Sequence, residues 1–187
     1  LGLVLVLLDG YAHTVGFRSL IFAAVVLSGV LCWSVYVQDC FKHRSRKVLD
    51  IPMKHSIISF LNLMLAFLSL PMVVQQESGN WVNLYAVWIF LGWITGIILG
   101  MTFKTLPFMI WNWRYNDLNG IKKIPMPKEL YSQQILSMQY YLYLLGVFVM
   151  IIAVMSKVHW LLHCAAWIWV ALAVSYVANV AKVVFHK

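Results

Sequence analysis

The 187-residue chain is 63% hydrophobic and 11% charged, with a formal net charge of +8 at pH 7 and a mean hydropathy of +0.82. Soluble domains carry roughly 25% charged residues, so a chain this apolar cannot cover a water-facing surface with polar groups, and its solvent is largely lipid. The positive charge does not point to nucleic acid: no groove-reading or base-stacking motif accompanies it, and membrane proteins gather Lys and Arg in their cytoplasmic loops.

Residues 1–8 form an apolar run that ends at Asp9-Gly10. Eight helical residues rise about 12 Å, short of a hydrocarbon core of about 30 Å. Neither the basic n-region nor the small-residue cleavage site of a signal peptide is present. The expectation is a truncated N-terminal helix, the chain being cut inside an earlier span. Five further apolar stretches approach the ~20 residues that a crossing helix needs: about 17–37, 57–74, 81–103, 135–155 and 160–180. The predicted fold is all-α, a polytopic transmembrane helical bundle forming one membrane domain over residues 1–187. Short turns at 75–80 and 156–159 make the helices they join antiparallel.

The basic residues orient the bundle. Lys42, Arg44, Arg46, Lys47 and Lys54 flank or lie in a first loop, 41–54; Lys104, Arg114, Lys122, Lys123 and Lys128 flank or lie in a second, 111–131. Lys182 and Lys187 end the chain, so 12 of the 14 Lys and Arg fall on one side of the alternating topology and only Arg18 and Lys157 on the other. The positive-inside rule puts both long loops and the C-terminus in the cytoplasm. The loop at 111–131 opens on Trp111, Trp113 and Tyr115, turns at Asn119-Gly120 and carries Pro125 and Pro127. It reads either as an interfacial aromatic belt or as a docking surface for another membrane subunit.

Within the spans, Gly92, Gly96 and Gly100 recur every four residues. Three glycines on one helix face open a groove that another backbone can approach closely. A cofactor lying flat on that face is the alternative. Lys104 continues the row as an interfacial anchor whose ammonium reaches toward the headgroups. His55, Ser59, Asn62 and Ser69 share one face of the second span, and the deep amide of Asn62 requires a hydrogen-bonding partner. This stripe either packs against another helix or lines a polar path.

His159 and His163 are four residues apart at the entrance of the fifth span, on the outer side, where His13 also lies. That spacing can present two imidazoles to one metal ion or haem edge, and belt or packing residues are the competing reading. Cys32, Cys40 and Cys164 have no metal-ligand spacing and read as small packing residues. None of the six acidic residues lies near mid-membrane, which weighs against a carboxylate-driven proton relay. No phosphate loop, nucleophile elbow or HExxH is present, so no catalytic residue is assigned.

The stretch Gly92-Trp93-Ile94-Thr95-Gly96-Ile97-Ile98-Leu99-Gly100-Met101-Thr102-Phe103-Lys104-Thr105-Leu106-Pro107-Phe108 resembles a helix of bacterial membrane proteins related to the haem–copper oxidase large subunit and the NnrS-type family. The resemblance implies a many-helix bundle in the bacterial inner membrane and a haem- or copper-binding component of respiratory or nitrogen-oxide metabolism. Those relatives place ligating histidines just before the Gly-Trp, where this chain reads Tyr85-Ala86-Val87-Trp88-Ile89-Phe90-Leu91. No ligand carries over, and a centre in this member falls to His13, His159 and His163. Two further readings stay open: a cofactor-free structural or assembly subunit, and a small-solute transporter.

Overall fold

The computed structural model describes residues 17–43, 49–75, 79–115 and 124–185. The truncated helix expected near the N-terminus, and His13 with it, falls outside these residues. Within them the chain is all-helical, with five helices long and apolar enough to cross a membrane. They are α1 (Phe17–Lys42), α2 (Ile51–Gln75), α3 (Gly79–Tyr115), α4 (Gln133–Ser156) and α5 (His159–Val184).

Each helix overruns its hydropathy-defined span. Hydropathy marks the part that sits in hydrocarbon, whereas backbone hydrogen bonding continues into the polar ends. The largest overrun is in α3, whose 37 residues rise about 55 Å against a hydrocarbon core of about 30 Å. Pro107 does not close this helix, which runs on through Trp111, Trp113 and Tyr115. Residues 111–115 of the expected loop are therefore helix, as are 51–54 of the first loop. Between Ala86 and Thr95 the winding of α3 loosens to π geometry over Val87–Ile94, where the Thr95 N–H reaches back to the Phe90 carbonyl.

Helix α3 is the axis of the bundle. Helix α2 packs along its length in the most extensive pairing of the bundle, α4 covers its first half and α5 contacts its second half, and α4 and α5 pair closely with each other. Helix α1 leans on α2, with Trp33 stacked on Phe60 at a centroid distance of 4.4 Å. Cys32 is exposed on α1 and Cys164 is half-buried, so Cys32 is not the core residue that its apolar surroundings suggest. One apolar cluster joins Leu99, Tyr143, Val147 and Leu172 at mid-bundle. Another joins Phe103, Leu130, Tyr131, Leu136 and Val183 toward the basic loops.

Side-chain hydrogen bonds fasten that end. The Trp111 Nε1–H donates to the Pro125 carbonyl at 2.7 Å. The Asn179 amide takes the Ser132 N–H at 2.9 Å and returns a bond to the Ser132 carbonyl at 3.4 Å, capping α4 from another helix where Ser132 makes no cap of its own. Gln139 donates to the Ser175 carbonyl at 2.8 Å. An exposed Lys128–Asp50 pair at 3.4 Å adds little in water.

The α4–α5 turn is as tight as its sequence predicts, and it bends at Lys157 with φ 56°. A side chain in the left-handed region costs about 1–2 kcal/mol, which is why glycine usually ends a helix this way. Replacing Lys157 by Gly therefore stabilises the bundle by about 1 kcal/mol, read as a higher unfolding temperature in detergent. The same change at Val158, which has extended geometry, gives no such gain.

Candidate functional site

The glycine row and the polar stripe meet each other. A Cβ added at Gly92 would lie 2.6 Å from the Asn62 side chain, and one at Gly100 would lie 2.7 Å from the Pro52 carbonyl and 3.0 Å from the His55 Cβ. At Gly96 it would run into the Ser59 hydroxyl and the Tyr143 phenol. Read along the antiparallel pair, Asn62, Ser59 and His55 of α2 sit on Gly92, Gly96 and Gly100 of α3 in turn. The flat glycine face is thus filled by α2, which takes the place that a flat-lying cofactor would need.

Burial of these polar groups is nearly complete: Ser59 and His55 are at 0% exposure, Ser69 at 4% and Asn62 at 6%. Most bond within α2. Ser59 donates to the His55 carbonyl at 2.7 Å, Asn62 to the Ile58 carbonyl at 2.9 Å and Ser69 to the Ala66 carbonyl at 2.7 Å. Such back-bonding to the preceding turn satisfies a hydroxyl or amide without a second helix. Tyr143 of α4 completes the contact, its hydroxyl donating to the Gly92 carbonyl inside the loosened π segment.

His55 is the exception. Neither ring nitrogen has a hydrogen-bond partner among the described residues. Its imidazole stands edge-on to the Tyr140 ring at 5.1 Å and tilted against the Tyr143 ring at 5.2 Å. A ring N–H aimed at an aromatic face recovers part of a hydrogen bond, and the remaining nitrogen is a buried acceptor in need of a donor.

The outer histidines do not share this environment. His159 and His163 are both exposed at the start of α5, and His13 lies outside the described residues. An outer site requires α1 beside α5, whereas α1 packs on α2 and α5 on α4 and α3. Among the described residues no three His, Cys, Asp or Glu side chains converge as a metal site would require. Lys104 is exposed, with its ammonium 3.8 Å from the Met53 sulfur across the α2–α3 seam.

Sequence reasoning missed Tyr140, Tyr143 and the π segment. A signal for Tyr143 exists: Gln139, Tyr143 and Gly146 are spaced four and three apart and all are buried on α4. That is the spacing of the α2 stripe repeated. Comparison of the chain with protein-family models, with curated proteins and with solved structures returns no match.

The seating makes a direct prediction. Gly96→Leu forces α2 and α4 away from α3 and costs about 1–3 kcal/mol, as overpacked cores do. Ile98→Leu, on a face that is 53% exposed, leaves the unfolding temperature in detergent unchanged.

Proposed function

We propose that the chain is a structural or assembly subunit of a membrane complex, acting through its packed bundle and its surfaces without a cofactor in the glycine groove. The observation that carries this reading is the seating of the α2 stripe on the α3 glycines: the groove that sequence offers to a ligand holds helix α2. The end of α3 and the 124–131 segment offer the partner a surface, with Trp113 at 86% and Met126 at 69% exposure. The distribution of basic residues supports a C-terminus in the cytoplasm, and the resemblance of the Gly92–Phe108 stretch supports a bacterial inner-membrane setting.

A second reading is favoured by His55. Two unpaired ring nitrogens on a fully buried imidazole support a ligand role for His55 in place of the outer histidines, within the haem or copper component of respiratory or nitrogen-oxide metabolism that the resemblance implies. The absorption spectrum and metal content of the purified full chain separate the two readings. The structural reading expects neither a Soret band nor stoichiometric copper. A Soret band or bound copper lost in His55→Ala and kept in His163→Ala supports the second reading, and the reverse pattern restores the outer site.

Orientation has its own test. In a background with Cys32, Cys40 and Cys164 replaced by Ser, Lys157→Cys in the exposed α4–α5 turn reacts with a membrane-impermeant thiol reagent in intact cells. Reaction only after the cells are broken open reverses the topology.

A further inference from the structure

A groove of about 730 Å³ runs between α2 and α4, walled by Ile58, Leu61 and Leu65 on one side and Leu145, Phe148 and Ile151 on the other. It lies in the spanning part of both helices and opens sideways, with Leu61 at 58%, Leu65 at 43%, Leu145 at 49% and Phe148 at 61% exposure. Its size suits one ligand of moderate bulk, and its apolar walls in an apolar medium suit a hydrocarbon chain.

The two helices run parallel, and both change character at the same end of this groove. On α2, positions 54, 58, 61 and 65 recur at intervals of four, three and four, so they share one face. That face begins with Lys54, which is exposed and has no carboxylate partner among the described residues. Asp50, one turn earlier, is engaged by Lys128. On α4, positions 134, 138, 141, 145 and 148 follow the same rule, and that face begins with exposed Gln134. A cation and an amide thus head the faces whose continuation forms the groove walls. Lys54 is the fourth residue of α2 and Gln134 the second of α4; with Tyr140 level with His55, the amide lies farther from the groove than the cation.

From this register we infer a binding site for one anionic phospholipid. One acyl chain lies in the α2–α4 groove and the phosphate is met by the Lys54 ammonium. The occupant is a lipid with a charged head because the polar end of the site is cationic and sits at the interface. A neutral lipid of the bilayer interior would leave Lys54 unmatched. The inference is independent of the function proposed above, since it needs only a membrane around the bundle.

Native mass spectrometry of the full chain in detergent, with phosphatidylglycerol or phosphatidylcholine of identical acyl chains added, tests it. The expected result is one tightly held phosphatidylglycerol, with weaker retention of phosphatidylcholine. Lys54→Gln lowers phosphatidylglycerol retention about fivefold, the effect of one interfacial lysine. Lys182→Gln, on α5 away from the groove, leaves it unchanged. Leu61→Trp fills the groove mouth and lowers retention of both lipids, and Leu145→Trp repeats this from the opposite wall should the first variant fold poorly. Equal retention of the two lipids by the unaltered chain overturns the site. So does an equal effect of Lys54→Gln and Lys182→Gln, which would mark a general charge effect, and so does undiminished lipid retention in the tryptophan variants.

Discussion

The close approach of α2 to α3 is the constraint on which the rest of the bundle depends. In lipid, apolar side chains gain nothing by leaving the solvent for a neighbouring helix, so association must come from contact at short range and from hydrogen bonds. Gly92, Gly96 and Gly100 supply the short range, and Asn62, Ser59 and His55 supply side chains small enough to use it. The two patterns are complementary in step: both advance about one turn per residue, so that an antiparallel pair stays in register across three contacts. A side chain on any of the glycines breaks the register for all three.

Helix α4 depends on that pair in turn. The Tyr143 ring is fully buried, and in hydrocarbon its hydroxyl requires an acceptor. The Gly92 carbonyl, inside the π winding of Val87–Ile94, takes the Tyr143 hydroxyl on its second lone pair. Thr95 steadies the transition by donating both its N–H and its hydroxyl to the Phe90 carbonyl, the latter at 2.8 Å. Loosened winding in α3 and a phenol in α4 thus meet at one contact. Local departures from α geometry of this kind tend to lie where a helix does more than span.

Periodicity made much of this legible in advance. The number of spanning helices, the packing role of the glycines and the shared face of His55, Ser59, Asn62 and Ser69 all follow from spacing alone. What spacing does not carry is the identity of the partner face. Glycines on α3 and hydroxyls on α2 are each visible, yet their mutual contact is a fact of tertiary arrangement. The π segment is illegible for a related reason, since its sequence, VWIFLGWI, has no feature that α-helix would refuse. His55 shows the same limit from the other side. One residue within a stripe of four, it does not announce that it alone ends without a hydrogen-bond partner among the described residues. Helix ends are set by more than hydropathy: Pro107 is buried inside α3 beyond the apolar span, where it costs a backbone hydrogen bond without ending the helix.

The distribution of buried polar groups gives the bundle two unlike ends. His55, Ser56, Ser59, Gln139, Ser175 and Asn179 all lie in the half nearer the basic loops, Asn62 lies at the middle of α2, and Ser69 lies beyond it. Ser132–Asn179, Gln139–Ser175 and Thr102–Tyr176 tie helices together in the first half, and the Tyr143–Gly92 bond ties α4 to α3 near the level of Asn62. Toward the other end the fully buried residues include Ala66, Ala153 and Ala165, which hold helices by dispersion contact. Dispersion falls off steeply with a small separation, and it carries no directional preference to restore the original alignment. A hydrogen bond between helices in lipid resists separation more strongly, because the opened groups find no water. Any excursion of the bundle is therefore expected to open from the end marked by Ser69 and the Lys157 turn, pivoting on the hydrogen-bonded end. The glycine–stripe contact lies between the two and sets how far such an opening can travel before the register of α2 on α3 is lost.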